Sequence, residues 1–322
     1  MTNLGFGRDV LCLVLAVLWV LFSVSMEAVA QDAESVAMRP QWQTGQTSRF
    51  EFWNQRREDT TVTFGDRTQT TGTTVESEGA VTWTVDQVRS DGGAVCTMTL
   101  DWMTATITPD EGDVSENDSR KGKGDTEFIH DLLKAMVGKP LRVTVNADGS
   151  VAKVTGIDAM RDACENPDIV PDELDFEETA SDLASLPFVP ESVAVGDGWE
   201  ADYRWSHQMG FVDQPWSYTL SRVEDIAGLS VAVIDGQAKR MKLDPSTFKE
   251  QQNENTPPSK VKLIEGVGQT QVLFDLSRRE AVGRNGSTQM SVQIEYTYPD
   301  GRKLIRVLDE TNRSQMLRVG EE

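Results

Sequence analysis

The sequence predicts an α+β protein dominated by antiparallel β-sheet and built as two related halves, each a sheet with a short helix. Three observations carry that prediction. Residues 81–100, VTWTVDQVRSDGGAVCTMTL, alternate apolar and polar side chains on both sides of a Gly-rich turn, the period-2 pattern of paired, half-buried strands. Residues 216–235, WSYTLSRVEDIAGLSVAVID, write a fainter copy of the same pattern. The shift that lays Val81 on Trp216 also lays Trp83 on Tyr218, Val85 on Leu220, Val88 on Val223, Cys96 on Val231 and Met98 on Val233. Sheets of this kind, lined with large apolar residues, are expected to be curved or half-barrel in shape.

The chain opens with Arg8, an apolar run VLCLVLAVLWVLFSVSM and the small residues Ala28 and Ala30, so residues 1–30 read as a secretory signal peptide. Cys12 lies inside the apolar run and has no such run before it, which excludes the acylated cysteine of a lipoprotein signal. Cleavage leaves a chain with no stable membrane span. The expected location is extracytoplasmic, either periplasmic or secreted.

Residues 31–164 form the first β-rich half. The stretch TGQTSRFEFW places Phe50 and Phe52 on one strand face, and SDGG at residues 90–93 supplies hairpin chemistry. DTEFIHDLLKAMVGK reads as an amphipathic helix with apolar Phe128, Ile129, Leu132, Leu133 and Met136 and with Gly138 as its stop. PLRVTVNADGSVAKVTG reads as a hairpin turning at residues 147–149. Residues 165–191 hold nine acidic residues, four prolines and no Lys or Arg, the composition of an acidic linker. Residues 192–322 form the second half. It runs from the strand in VGDGWEADYRW through the copied hairpin to a short helix capped by Asp244, with Pro245 at its first position. Two hairpins follow, GQTQVLFDLSRREAVGRNG and MSVQIEYTYPDGRKLIRVL, the last turning at residues 299–302.

A net charge of −21, little changed by removing Arg8, Asp9 and Glu27 with the leader, repels nucleic acid and anionic lipid headgroups. Beyond the leader only Cys96 and Cys164 remain. An oxidising compartment lets them pair, while two buried thiols also account for them, and the shift that gives the place of Cys96 to Val231 speaks against pairing.

The segments WQTGQTSRFEF, WTVDQVRSDGGAV, VGKPLRVTVNADGSVAKVTG and LPFVPESVAVGDGW together resemble a family of exported planctomycete proteins classed as a domain of unknown function. The resemblance implies an extracytoplasmic, largely antiparallel β protein, and it brings no catalytic residues with it.

Candidate chemistry is sparse. STFK at residues 246–249 has the S-x-x-K spacing of penicillin-recognising enzymes, with Ser246 as nucleophile and Lys249 as base, but no S-D-N and no K-T-G or K-S-G strand accompanies it. His130 and His207 are the only histidines and neither has a ligand partner at metal spacing; His130 is expected at the helix surface or boundary. The acidic stretch PDEGDVSENDS, residues 109–119, lacks the order of a calcium loop and reads as a solvated loop. No catalytic, cofactor-binding or metal-ligating residue is therefore assigned. The expectation is a non-enzymatic binding or envelope-associated protein whose partner is an apolar small molecule or an envelope component. Trp42, Trp53, Trp83, Trp102, Trp199, Trp205 and Trp216 either fill a core or line a cavity, and the second option describes a carrier of lipid or another hydrophobic ligand. A hydrolase with an unrecognised site is the remaining alternative.

Overall fold

The computed structural model describes residues 35–171, 173–184, 189–226, 228–246, 248 and 259–319; the leader at residues 1–30 lies outside them. Strands dominate. The first run of the sheet comprises β2 (Thr47–Phe64), β3 (Arg67–Val88), β4 (Ala94–Pro109), β6 (Pro140–Val145) and β7 (Val151–Thr155). The second comprises β9 (Gly198–His207), β10 (Gly210–Ile226), β11 (Leu229–Ala238), β13 (Ser259–Asp275), β14 (Glu280–Thr297) and β15 (Lys303–Val319). Two short strands, β5 (Ser115–Asp118) and β12 (Lys242–Asp244), pair with β4 and β10, while β1 (Val36–Ala37) and β8 (Ser192–Val193) form a separate two-stranded sheet.

All these strands except β1 and β8 belong to one antiparallel sheet in the order β12-β10-β11-β13-β14-β15-β2-β3-β4-β6-β7, with β9 also on β10. Each run is a meander toward its own edge. The two runs meet where β15 pairs with β2, from Leu304 opposite Phe64 to Val319 opposite Arg49. The sheet is not closed: among the described residues β7 pairs only with β6, and β9 only with β10.

The alternation seen in residues 81–100 becomes the β3–β4 hairpin, with Trp83 opposite Met98 and Val85 opposite Cys96. Residues 216–235 fall in the β10–β11 hairpin, where Tyr218 lies opposite Gly236 and Leu220 opposite Ile234. The shared shift therefore matches the burial of Val81, Trp83 and Val85 with that of Trp216, Tyr218 and Leu220 but not the pairing, because Tyr218 faces Gly236 instead of Val233 and Val231, the counterpart of Cys96, faces Glu224 instead of Leu220. β10 runs on from Leu220 to Ile226 before its turn, whereas β3 ends at Val88, closer to Val85.

The apolar faces build two cores. One gathers Phe50, Trp83, Val85, Cys96, Met98, Leu141 and Val143; the other gathers Trp216, Tyr218, Leu220, Ile234, Phe274 and Ile294. Large rings lie across neighbouring glycines. A Cβ at Gly236 would come within 2.7 Å of the Tyr218 ring and one at Gly79 within 2.4 Å of Phe52, so only glycine admits these ring positions.

Three helices are described: α1 (Glu127–Met136), α2 (Asp158–Arg161) and α3 (Glu173–Ala184). Helix α1 buries Leu133 of the expected apolar face and half-buries Ile129, Leu132 and Met136, but Phe128 is 57% exposed, and Ala135 and His130 are buried instead. The expected surface or boundary position of His130 is thus corrected. The strand β5 and the turn after it fold over α1, where Thr126 N–H donates to Asn117 Oδ1 at 3.1 Å, and they cover that flank. The same segment corrects the reading of residues 109–119 as a loop, because Ser115–Asp118 pair with Thr104–Ile107. The acidic stretch 165–191 contains α3, whose Phe176, Ala180, Leu183 and Ala184 are buried in the first core. Its acidic residues masked a helical spacing of apolar ones. Of the second expected helix, residues 247 and 249–252 lie outside the described residues.

Candidate functional site

A cavity of about 720 Å³ runs along one face of the sheet and crosses the β15–β2 junction. Its floor follows from strand register, because residues directly opposite each other project to the same face. One row reads Arg284, Met316, Phe52; the next Gly286, Ser314, Asn54, Ser77; the third Thr288, Asn312, Arg56. All of these line the cavity. Helix α3 rests against β7, β9 and β14, so it lies across the face between the two edges of the sheet, and its Phe176, Thr179 and Leu183 line the cavity as well.

The two ends differ in chemistry. Toward the first core the wall is rich in methionine, with Met98, Met103, Met136, Met160 and Met316 beside Phe176. Methionine is flexible and polarisable and adapts to irregular apolar shapes. Toward the second core the lining is aromatic, with Tyr203, Trp205 and Trp216, and Trp205 Nε1 donates to Gln214 Oε1 at 2.8 Å.

Between the ends the floor is polar. Arg56 Nη2 donates to Glu310 Oε2 at 2.9 Å and to Glu58 Oε2 at 3.3 Å, and His207 Nε2 lies 3.4 Å from the same Glu310 oxygen. His207 Nδ1 accepts from the Met209 N–H at 3.1 Å. Burial pushes the Glu310 carboxyl up, but the contact from His207 and the charge of Arg56 outweigh it and hold the group below the ordinary carboxylate value. Two further groups stand out. Asn54 Oδ1 and Asn312 Oδ1 are buried and meet no donor of the protein.

The residues singled out in the sequence scatter. Of the seven tryptophans, Trp53, Trp205 and Trp216 line the cavity, Trp83 is buried in the first core, and Trp42 and Trp199 pack against the cores. Trp102 carries the Arg120 guanidinium over its ring at 4.2 Å. Ser246 is exposed, its N–H donating to Asp244 Oδ1 at 3.1 Å, while Lys249 lies outside the described residues. Cys96 and Cys164 are free, buried thiols. Burial, reinforced by the charge of Asp86, pushes Cys96 up to about 12, and Cys164 Sγ donates to Asp131 Oδ2 at 3.2 Å. Among the described residues no group of three or more His, Cys, Asp or Glu is arranged to hold a metal. Asn54, Arg56, Asn312 and Glu310 were not singled out in the sequence. A signal for the first two exists in FEFWNQRRE, where Phe50, Phe52, Asn54 and Arg56 alternate on one face.

Residues 91–181, which hold β4 to β7 and α1 and reach into α3, match the model of a family of unknown function, DUF6263. No curated protein matches the chain. Among solved structures, lipovitellin, described for its lipid–protein interactions, is similar with a TM-score of 0.45 and 8% identity over 86% of this chain; the chain spans 25% of its length. The outer membrane protein OprG from Pseudomonas aeruginosa is similar with a TM-score of 0.23 and 7% identity over 86% of this chain and 99% of its own. DynF from the dynemicin pathway of Micromonospora chersina gives a TM-score of 0.15 and 11% identity, covering 90% of each chain.

Proposed function

We propose that this protein is an exported, non-enzymatic binding protein that carries a lipid or another hydrophobic small molecule in the cavity on its sheet. The observation that carries the reading is the cavity itself: about 720 Å³, within the size range of small-molecule sites, walled by methionine at one end and aromatic rings at the other. Export is read from residues 1–30, and extracytoplasmic placement follows from it. Among the described residues no helix is long and apolar enough to cross a membrane. We also read the two meanders as copies of one unit joined by residues 165–191, a view supported by the matched burial along the first strands and strained by the different pairing within the two hairpins.

The carrier reading is tested by native mass spectrometry of protein purified from its own host, beside a Ser314→Phe variant that puts a ring into the cavity floor. The expected result is a bound apolar species on the natural protein, and at least a roughly tenfold loss of affinity for it in the variant at unchanged unfolding midpoint. A natural protein that carries nothing and takes up no long-chain alcohol would overturn the reading. The export reading is tested separately: the mature N-terminus is expected at Gln31 by mass analysis. An intact leader in the membrane fraction would defeat soluble placement.

A further inference from the structure

The carrier reading leaves the polar floor unexplained, since a purely hydrocarbon ligand has no use for it. Asn54 and Asn312 are diagonal neighbours on adjacent strands, because Asn54 pairs with Ser314 and Asn312 with Arg56. Their amide oxygens are buried without a donor, while Ser77, Ser314 and Thr288 supply hydroxyls around them and Gly286 leaves the floor low. Buried amides are ordinarily satisfied, and two unsatisfied ones side by side in a cavity mark the place where a ligand's polar group completes the network.

Charge narrows the ligand further. The Arg56 guanidinium is already held by Glu58 and Glu310, so an anionic headgroup on this floor would meet two carboxylates and a neutralised cation. Arg284, the other cation in the three floor rows, donates through Nε to Thr270 Oγ1 at 3.3 Å and stands on β14, with β15 between it and Asn54 on β2. An uncharged donor suits the floor, and a hydroxyl or amide both donates and accepts, so it matches an asparagine in either amide orientation. Gln214 Nε2, also buried without a partner, adds a donor at the aromatic end, where a carbonyl or ether oxygen would accept from it.

Resting on the carrier reading, we infer that the cavity takes an uncharged amphipathic lipid whose hydroxyl or amide group sits on Asn54 and Asn312, with apolar portions reaching into the methionine and aromatic ends. Three probes test it by titration against tryptophan fluorescence: a seventeen-carbon alcohol with its hydroxyl on the middle carbon, the methyl ether of that alcohol, and the same chain bearing a phosphate at that carbon. The alcohol is expected to bind roughly tenfold more tightly than the ether, the discrimination one neutral hydrogen-bonded group provides, and more tightly than the phosphate. In the Asn54→Leu, Asn312→Leu double variant the alcohol and the ether are expected to bind equally. Equal binding of alcohol and ether to the natural protein, tightest binding of the phosphate, or an unchanged preference in the double variant would each overturn this assignment while leaving the carrier reading in place. Failure of all three probes to bind would overturn both. The comparison among probes on the natural protein needs no variant, so the assignment stands or falls even if the double variant does not fold.

Discussion

Trp83→Ala and Tyr218→Ala are each expected to lower the unfolding free energy by about 3–5 kcal/mol, the cost of deleting a large buried aromatic side chain. Tyr218 is 1% exposed and stacks between Trp199 and Trp216, with ring centroids 5.5 Å and 6.0 Å away. Its hydroxyl lies 3.3 Å from that of Tyr203, and burial pushes the phenol up to about 12. Trp83 is 4% exposed in the other core. Because the two side chains share no cluster, the double variant should lose close to the sum. Thr84 and Thr219, their outward neighbours, should cost less than about 1 kcal/mol when changed to Ala. Denaturant midpoints decide the matter; a Trp83→Ala protein as stable as Thr84→Ala would contradict the assignment of this face to the core.

Arg318→Met is expected to be comparably damaging, about 3–5 kcal/mol, because it removes the cation beside buried Asp275 and leaves Glu280 only the exposed Arg278 guanidinium at 3.7 Å. Arg318 is paired with Glu280 and lies 4.0 Å from Asp275, whose side chain is 0% exposed. Glu280 also accepts from Gln46 Nε2 at 2.8 Å and Ser48 Oγ at 3.1 Å. Burial pushes the Asp275 carboxyl up, but the Ser277 hydroxyl and N–H, the Arg278 N–H and the Arg318 charge together hold it below its ordinary value. The sign follows by linkage. A carboxyl depressed in the folded state stabilises the protein above its unfolded pKa of about 4, and that contribution is lost as pH falls through the folded value. Glu310 acts in the same direction. The penalty of Arg318→Met should therefore be full at pH 7 and shrink below about pH 4, where protonation removes the stranded charge. A penalty independent of pH would show that Arg318 contributes packing alone.

Hairpins were legible wherever one face was apolar and a turn residue closed the loop, as in β3–β4, β6–β7 and β14–β15. The outer arms of β2 and β3 were not. Within residues 56–75 only Val62 and Phe64 alternate as apolar residues, and these strands are held chiefly by cross-strand polar pairs such as Thr61 with Thr70, Thr63 with Thr68 and, beside them, Gln55 with Glu76. Helix α3 was hidden because acidic composition spoke louder than the spacing of Phe176, Ala180 and Leu183. The cavity floor was out of reach for a different reason: Asn54 and Asn312 become neighbours only through the pairing of β2 with β15, and no local pattern encodes that partnership.

That pairing also sets an order of events. Gln46 and Glu280, bonded across the junction, are 234 positions apart in the chain. Every contact within either meander closes a far shorter loop, and short loops close first because they forfeit less chain entropy. Each meander can therefore zip from its own turns, while the joint waits for β15 and forms last. Until then β2 and β15 are both bare edges, templates for pairing with another molecule. The polar arms of β2 and the buried ionic group beside Arg318 guard that interval: a wrong partner lacking Gln46 and Ser48 would bury Glu280 without two of its donors. The cavity floor spans the same joint, so the cavity is complete only at the final step of folding, and a molecule bound in it would stabilise the junction that took longest to make.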